Sequence, residues 1–445
     1  MYVRRSAAVL AASVALCASA APAALADPSP AASAAPSAPA NQPPAAPAAP
    51  TGLYGTGDPT YDGVFRQSLS LLAQHSVGVR PAPAAVSWLT GQQCANGSFA
   101  AFRADPTKAC DATTMADTNA TAAAVQALAA LGGHQDAVTK AVDWLKSVQN
   151  EDGGWSYGPG TAMDSGTDAN STGIVIGALA AAGEEPDKVR SKKNVAGGTA
   201  LQWLQIRCQQ EGETGPTPSG AFAFQADKSG KLLPNADATA AAVLGVLGTG
   251  MAVQTPTGDA AKKDFTAVNP LSCKMGPGDG QLSADNGAKY LADTMAATGH
   301  HLMSAMPGAT DQPDFGNTAD AVVALAAAGY PAAAAQPLSW LQQNAAGWAK
   351  TAGPAAYAQL ILAARATGAD PRAFGGTDLV AALNAQGPAP QTDKPQPEQQ
   401  KNEEKKKEQK KEDSGSSIGW MIGAGAAAGV GIGFLLSGRR KKQQP

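Results

Sequence analysis

The stretch DTNATAAAVQALAALG, running from Asp117 to Gly132, decides the fold because the chain repeats it. Copies run from Asp168 to Gly183, from Asn235 to Gly250 and from Asp314 to Gly329. Each opens on Asp or Asn, whose side chain can cap a helix N-terminus, and closes on Gly, which suits the residue just past a helix end. Thr121, Thr172, Thr239 and Thr318 stand one turn into each copy. Between the cap and the glycine the residues are small and apolar, so the repeat reads as a buried helix.

A second kind of segment follows each copy and carries an aromatic residue: Trp144, Trp203, Tyr290 and Trp340, with Trp88 in an earlier copy. Continuing outward predicts helices at 61–75, 82–93, 117–131, 136–149, 168–182, 195–208, 237–249, 286–298, 317–328, 332–344, 355–368 and 374–386. No strand alternation is evident. Six helical pairs result, the first member rich in Ala and Gly and the second bearing an aromatic. Small residues permit close approach and aromatics cover broad gaps, so the pattern predicts an all-α (α/α)6 toroid at 53–386, six inner helices wrapped by six outer ones. An open solenoid is the alternative, but its ends need polar caps that neither terminal pair shows.

The flanking sequence differs in kind. Residues 1–26 read as a signal peptide: Arg4 and Arg5, an apolar run, then Ala24-Leu25-Ala26. Residues 27–52 are an Ala/Pro-rich linker. Residues 387–417 form a charged stalk, 418–437 an uncharged run of transmembrane length, and 438–445 a basic cytoplasmic tail. These features predict a bacterial cell-membrane protein with a single pass and an extracellular N-terminal domain. Residues 28–392 carry 20 basic against 28 acidic residues, which argues against nucleic acid as a partner. Once the leader is removed, Cys94, Cys110, Cys208 and Cys273 remain. Three disulfide pairings are open; Cys94 with Cys110 and Cys208 with Cys273 would each close one inter-helix loop.

Lys140-Ala141, Trp144-Leu145, Gln149 and Gly153-Gly154-Trp155 resemble the QW repeat of terpenoid cyclases. Weaker copies are Trp88-Leu89 with Gln93 and Gly97-Ser98-Phe99, and Trp203-Leu204 with Gln209 and Gly220-Ala221-Phe222. With the six pairs, residues 53–386 resemble the α/α-toroid superfamily of terpenoid cyclases, protein prenyltransferases and cobalamin carriers. The QW residues Trp88, Trp144, Gln149, Trp155 and Trp203, with Trp340, are expected to be structural. Gln149 would bond exposed backbone at the next helix end.

Within that superfamily the catalytic signatures are missing. A class II cyclase needs an Asp-x-Asp-Asp acid, and the nearest match is Asn235-Ala236-Asp237-Ala238. No His lies near a Cys with zinc-ligand spacing, and no thioester sequence is present, so no catalytic or metal residue is assigned. The stretch Asp168-Ala169-Asn170-Ser171-Thr172-Gly173-Ile174 instead resembles an inner-helix element of cobalamin carriers, as the Asp117-Thr118 start does. Parallel inner helices would bring six N-termini to one rim. Candidate ligand residues there are Asp117, Asn119 and Thr121; Asp168, Asn170 and Thr172; and Asn235, Asp237 and Thr239. Asp314, Asn317 and Thr318 follow on the fifth inner helix, with Tyr357 and Gln359 on the sixth. The expected function is capture of a bulky small molecule, cobalamin or haem, for uptake through a membrane transporter. The alternatives are a terpenoid cyclase or prenyltransferase-like enzyme, and a cell-surface module binding protein or glycan.

Overall fold

The computed structural model describes residues 51–208, 219–258, 263–273, 278–305 and 311–392. The leader, most of the linker, the uncharged run 418–437 and the basic tail lie outside the described residues. Among the described residues no helix is long and apolar enough to cross a membrane.

All twelve expected helices are present. The odd-numbered set is α1 (Gly63–Ser76), α3 (Thr118–Leu131), α5 (Ala169–Ala181), α7 (Ala236–Val246), α9 (Phe315–Ala327) and α11 (Pro354–Thr367). The even-numbered set is α2 (Pro83–Gly91), α4 (Gln135–Ser147), α6 (Gly197–Trp203), α8 (Gly280–Ala297), α10 (Pro331–Ala352) and α12 (Leu379–Asn384). Each odd helix packs on the next odd helix, and α11 returns to α1, so the inner ring is closed and an open solenoid is excluded. Each even helix lies against its odd partner as the outer wall.

The inner ring closes because its contacts are made by small residues. A Cβ on Gly173 would sit 2.4 Å from the Ala241 carbonyl oxygen, so α5 and α7 touch backbone to backbone. The predicted caps form as well. Asp117, Asp168, Asn235 and Asp314 accept the amides of Ala120, Ser171, Ala238 and Asn317 at 2.8, 2.7, 2.9 and 3.0 Å.

Several expectations are corrected. Two antiparallel hairpins, β1 (Phe222–Ala226) with β2 (Leu232–Asn235) and β3 (Leu302–Met303) with β4 (Pro313–Asp314), lead into α7 and α9. Strands of two to five residues are too short for alternation to register. Outer helices α8 and α10 are longer than read, and α6 and α12 shorter. Residues 387–392, read as the start of a stalk, pack on the barrel: Gly387 abuts the Tyr54 ring and the Gln391 amide donates to Arg80 O at 2.9 Å. At the other boundary Gly52, read as linker, accepts from Gln67 Nε2 at 2.9 Å.

The disulfides are Cys94–Cys110 and Cys208–Cys273, spanning 16 and 65 residues. Closing loops of those lengths restricts the unfolded chain by about 3 and about 4 kcal/mol.

The QW elements are structural, with a shift of register in the third copy. Trp144 and Trp155 are buried and Trp88 is half-buried, but Trp203 is 44% exposed. The equivalent of Leu89 and Leu145 is Leu201, all three fully buried, and the glutamine four residues on is Gln205; Gln209, read as the glutamine of this copy, lies outside the described residues. Gln205 Nε2 donates to Gly220 O at 3.1 Å and to Ser283 O, in the first turn of α8, at 2.9 Å. Gln93 does the same with Gly97 O at 3.0 Å and Ala137 O, in the first turn of α4, at 2.8 Å. Gln149 reaches only Gly153 O in its own turn, at 2.7 Å, so its expected bond to the next helix end is not made. Gly97, Gly153 and Gly220 share φ +94°, a region that L side chains avoid.

Candidate functional site

The repeat alignment locates the site. Counting the cap residue as zero, positions +2, +6 and +9 fall on one helical face, and this face looks down the barrel axis. At +2 stand Asn119, Asn170 and Asp237; at +6, Ile174, Ala241 and Asp320; at +9, Gln126, Gly177, Leu244 and Val323. All ten line one cavity of about 170 Å³ inside the inner ring, joined by Gln359 and Leu362 of α11 and by Phe65 and Leu69 of α1. The segment Thr249-Gly250-Met251 closes its far end, the Met251 amide donating to Gln126 Oε1 at 2.8 Å.

Helical geometry separates the expected ligand residues into two groups. Asn119, Asn170, Asp237 and Gln359 line the cavity. The caps at zero and the threonines at +4 point into the wall, about 200° away from +2, at 100° per residue. Asp117, Asp168, Asn235 and Asp314 are consumed as caps, and Asn317 donates its side-chain amide to Asp314 Oδ2 at 2.9 Å. Thr121, Thr172, Thr239 and Thr318 are fully buried, and their hydroxyls accept the amides of Phe99, Trp155, Phe222 and Leu302 at 2.9, 3.0, 2.9 and 2.9 Å. They fasten each preceding loop to its inner helix. Tyr357 is buried in the packed core and does not line the cavity.

The reading from sequence missed Asp320 and Gln126. Both were visible in the alignment: Asp320 is the one charged residue in a column otherwise filled by Ala123, Ile174 and Ala241.

Charge governs what the cavity can do. Asn170 Nδ2 donates to Asp237 Oδ2 at 2.6 Å, and Gln359 Nε2 donates to Asp320 Oδ2 at 3.1 Å. Burial pushes the Asp320 carboxyl up to about 7, reinforced by the negative charges of Asp237 and Asp314 and opposed by the Gln359 bond. Burial also raises Asp237, against the Asn170 bond and with the charge of Asp314. Among the described residues none that lines the cavity is basic. The Oδ1 atoms of Asn119 and Asn170 are buried without a partner. One N–H of each of the Asn170 and Gln359 amides is thus used, and the cavity presents carboxylate and amide oxygens together with the remaining amide N–H groups over an apolar floor.

Asp117 and Asp168 are each raised to about 6 by burial, against backbone bonds from their own helix turns. The Asp117 charge in turn raises the neighbouring Tyr157, after burial. These two carboxyls lie in the wall. Among the described residues no group of three or more His, Cys, Asp or Glu is placed to hold a metal ion.

The site and fold together define an α/α toroid with a narrow, acid-lined axial cavity. Residues 116–213 match the family model described as squalene-hopene cyclase C-terminal domain. That match covers the α3–α6 region and ends before Asp237. Among solved structures, a crystal structure of a protein from Actinoplanes is similar at 15% identity over 71% of this chain and 92% of its own, with a TM-score of 0.41. A wild-type glycosidase is similar at 15% identity over 69% of this chain and 99% of its own, with a TM-score of 0.31. No curated protein matches the sequence.

Pockets that enclose drug-sized molecules run to roughly 300–1,000 Å³, against about 170 Å³ here. The comparisons give no support to the expected cobalamin or haem ligand.

Proposed function

We propose that this chain is a binding protein whose axial cavity takes a small organic cation, an ammonium head on a short apolar body. One observation carries the reading: Asp237 and Asp320 face an axial cavity that, among the described residues, has no basic side chain in its lining. A buried carboxylate without a counter-charge is costly unless it is protonated or paired, and an ammonium ligand supplies both the charge and the missing donors. The unpartnered oxygens of Asn119 and Asn170 fit the remaining N–H groups. Leu244, Ile174, Val323 and Leu362 suit the alkyl portion. The leader-like 1–26 and the uncharged run at 418–437 support an exported, membrane-anchored setting for this capture.

Thermal unfolding tests the reading. n-Butylammonium is expected to raise Tm in proportion to the logarithm of its concentration, because it binds the folded state alone. The neutral isostere 1-butanol, which offers the same apolar body, is expected to raise it far less. Equal shifts from both compounds would contradict the proposal.

A second reading, acid–base catalysis on a small substrate, is favoured by the Asp320 carboxyl near 7, which suits proton transfer at neutral pH. Turnover of an amine bound in the cavity, seen by mass spectrometry and lost in Asp320→Asn, would establish it.

A further inference from the structure

Helix direction puts the loops before all six inner helices at one end of the barrel, the end at which the carboxylates lie. Six large apolar side chains are exposed among the described residues, and five of them belong to those loops: Tyr61, Met163, Phe224, Leu233 and Met303. Tyr61 precedes α1, Met163 precedes α5, Phe224 and Leu233 sit on the hairpin before α7, and Met303 on the hairpin before α9. Exposure reaches 76% at Tyr61 and 54% at Leu233.

The same loops are acidic. Over 54–62, 99–117, 155–168, 222–235, 302–305 and 311–314, leaving aside the caps Asp117, Asp168 and Asp314, there are seven acidic residues against four basic ones. Exposed apolar side chains on four of the loops and a negative field beside a negative cavity repel an anionic lipid surface and attract a cationic, partly apolar chain. The cavity at the centre is sized for one side chain and offers acceptors to whatever enters.

The hairpin that carries Phe224 and Leu233 is held in place, which favours a preformed surface. Gln225 Nε2 donates to the carbonyls of Ser165, Gly166 and Thr167 at 3.2, 3.1 and 3.1 Å, latching the hairpin to the neighbouring loop. At the neighbouring inner helix α9 Phe315 stacks between Trp340 and Trp348 at 5.1 and 5.6 Å, and Trp348 approaches Gly316 beside Gln359.

We infer that the mouth docks a polypeptide carrying a lysine flanked by apolar residues, the lysine side chain entering the cavity while its neighbours rest on the rim. This rests on the cation-binding reading of the cavity and names its ligand class. The ammonium reaches Asp237 and Asp320, the methylene stem lies along the apolar wall, and the flanking side chains meet Phe224, Leu233 and Met163.

The test measures binding to the full chain by competition with a fluorescent copy of an acetylated, amidated pentapeptide that has Leu on each side of a central Lys. The Lys peptide is expected to bind at least tenfold tighter than n-butylammonium, and its Nε-acetyl-lysine form at least tenfold weaker than itself. Replacing the exposed pair, Phe224→Ser with Leu233→Ser, is expected to remove the peptide's advantage and leave n-butylammonium binding unchanged. A peptide no tighter than n-butylammonium, an acetylated form that binds equally, or a rim variant with an unchanged Kd would each overturn the inference while the cavity reading stands. Binding of neither peptide nor n-butylammonium would overturn both. Co-sedimentation with phosphatidylcholine vesicles that the rim variant loses, without any preference for the peptide, would overturn it in favour of a lipid surface.

Discussion

Replacing Asp320 by the isosteric, neutral Asn makes stability less dependent on pH, and the size of the change follows from the structure. The carboxyl is raised from 3.8 to about 7 in the folded protein, chiefly by burial. A group with a raised folded pKa binds its proton more tightly when folded, so its effect is most favourable below the unfolded pKa and is lost as pH rises through the folded one. Three units at about 1.36 kcal/mol each give roughly 4 kcal/mol across that whole range. Much of it falls between pH 5 and pH 8, and solvent in the cavity softens the penalty, leaving about 1.5–2.5 kcal/mol in that interval. Equilibrium urea unfolding of both proteins at pH 5 and pH 8, followed by circular dichroism, measures it. The Asp320→Asn variant should gain about that amount of stability relative to the parent on going to pH 8. A stability difference that stays within about 0.5 kcal/mol at both pH values would refute the reasoning, because Asp320 would then titrate as a solvated carboxyl.

Other substitutions address the framework. Trp155→Ala should cost about 3–5 kcal/mol, since the indole is buried and its Nε1–H donates to Leu145 O at 2.7 Å, whereas Trp203→Ala should cost under about 1 kcal/mol in the same urea assay. Gly97→Ala should cost about 3 kcal/mol or more, because φ is +94° and a Cβ would lie 2.1 Å from the Lys140 carbonyl oxygen; Gly132→Ala, with nothing within 4 Å, should cost less by thermal unfolding. Thr172→Val should cost about 1–3 kcal/mol by leaving the buried Trp155 amide without its acceptor, and hydrogen exchange should quicken at that amide.

The fold was legible because its causes are local and repeated. Caps, closing glycines and small-residue faces recur at Asp117, Asp168, Asn235 and Asp314, and the helices follow from them, while the two disulfides are one of the three pairings that four cysteines allow. The site was half legible, for a reason the same repeat explains. Polar residues at an inner helix start serve either the helix or the cavity, and residue type does not separate Asp117 from Asp237. Position does: only the +2, +6 and +9 face reaches the axis, which selects Asn119, Asn170 and Asp237, adds Asp320 and Gln126, and returns the four threonines to the wall. Trp203 misled because its Trp-Leu pair stands three residues out of frame with Leu201, the residue that packs. The dimension of the hollow was not legible at all, since it depends on how Gly173, Gly177 and the 249–251 segment fill the ring.

Calorimetric titration of n-butylammonium at pH 8 into the parent protein and into the double variant Asp237→Asn, Asp320→Asn tests the function most directly. The account predicts saturable binding at one site in the parent and at least tenfold weaker binding in the variant. Equal affinity for the two proteins, or heat no different from dilution in the parent, would contradict it.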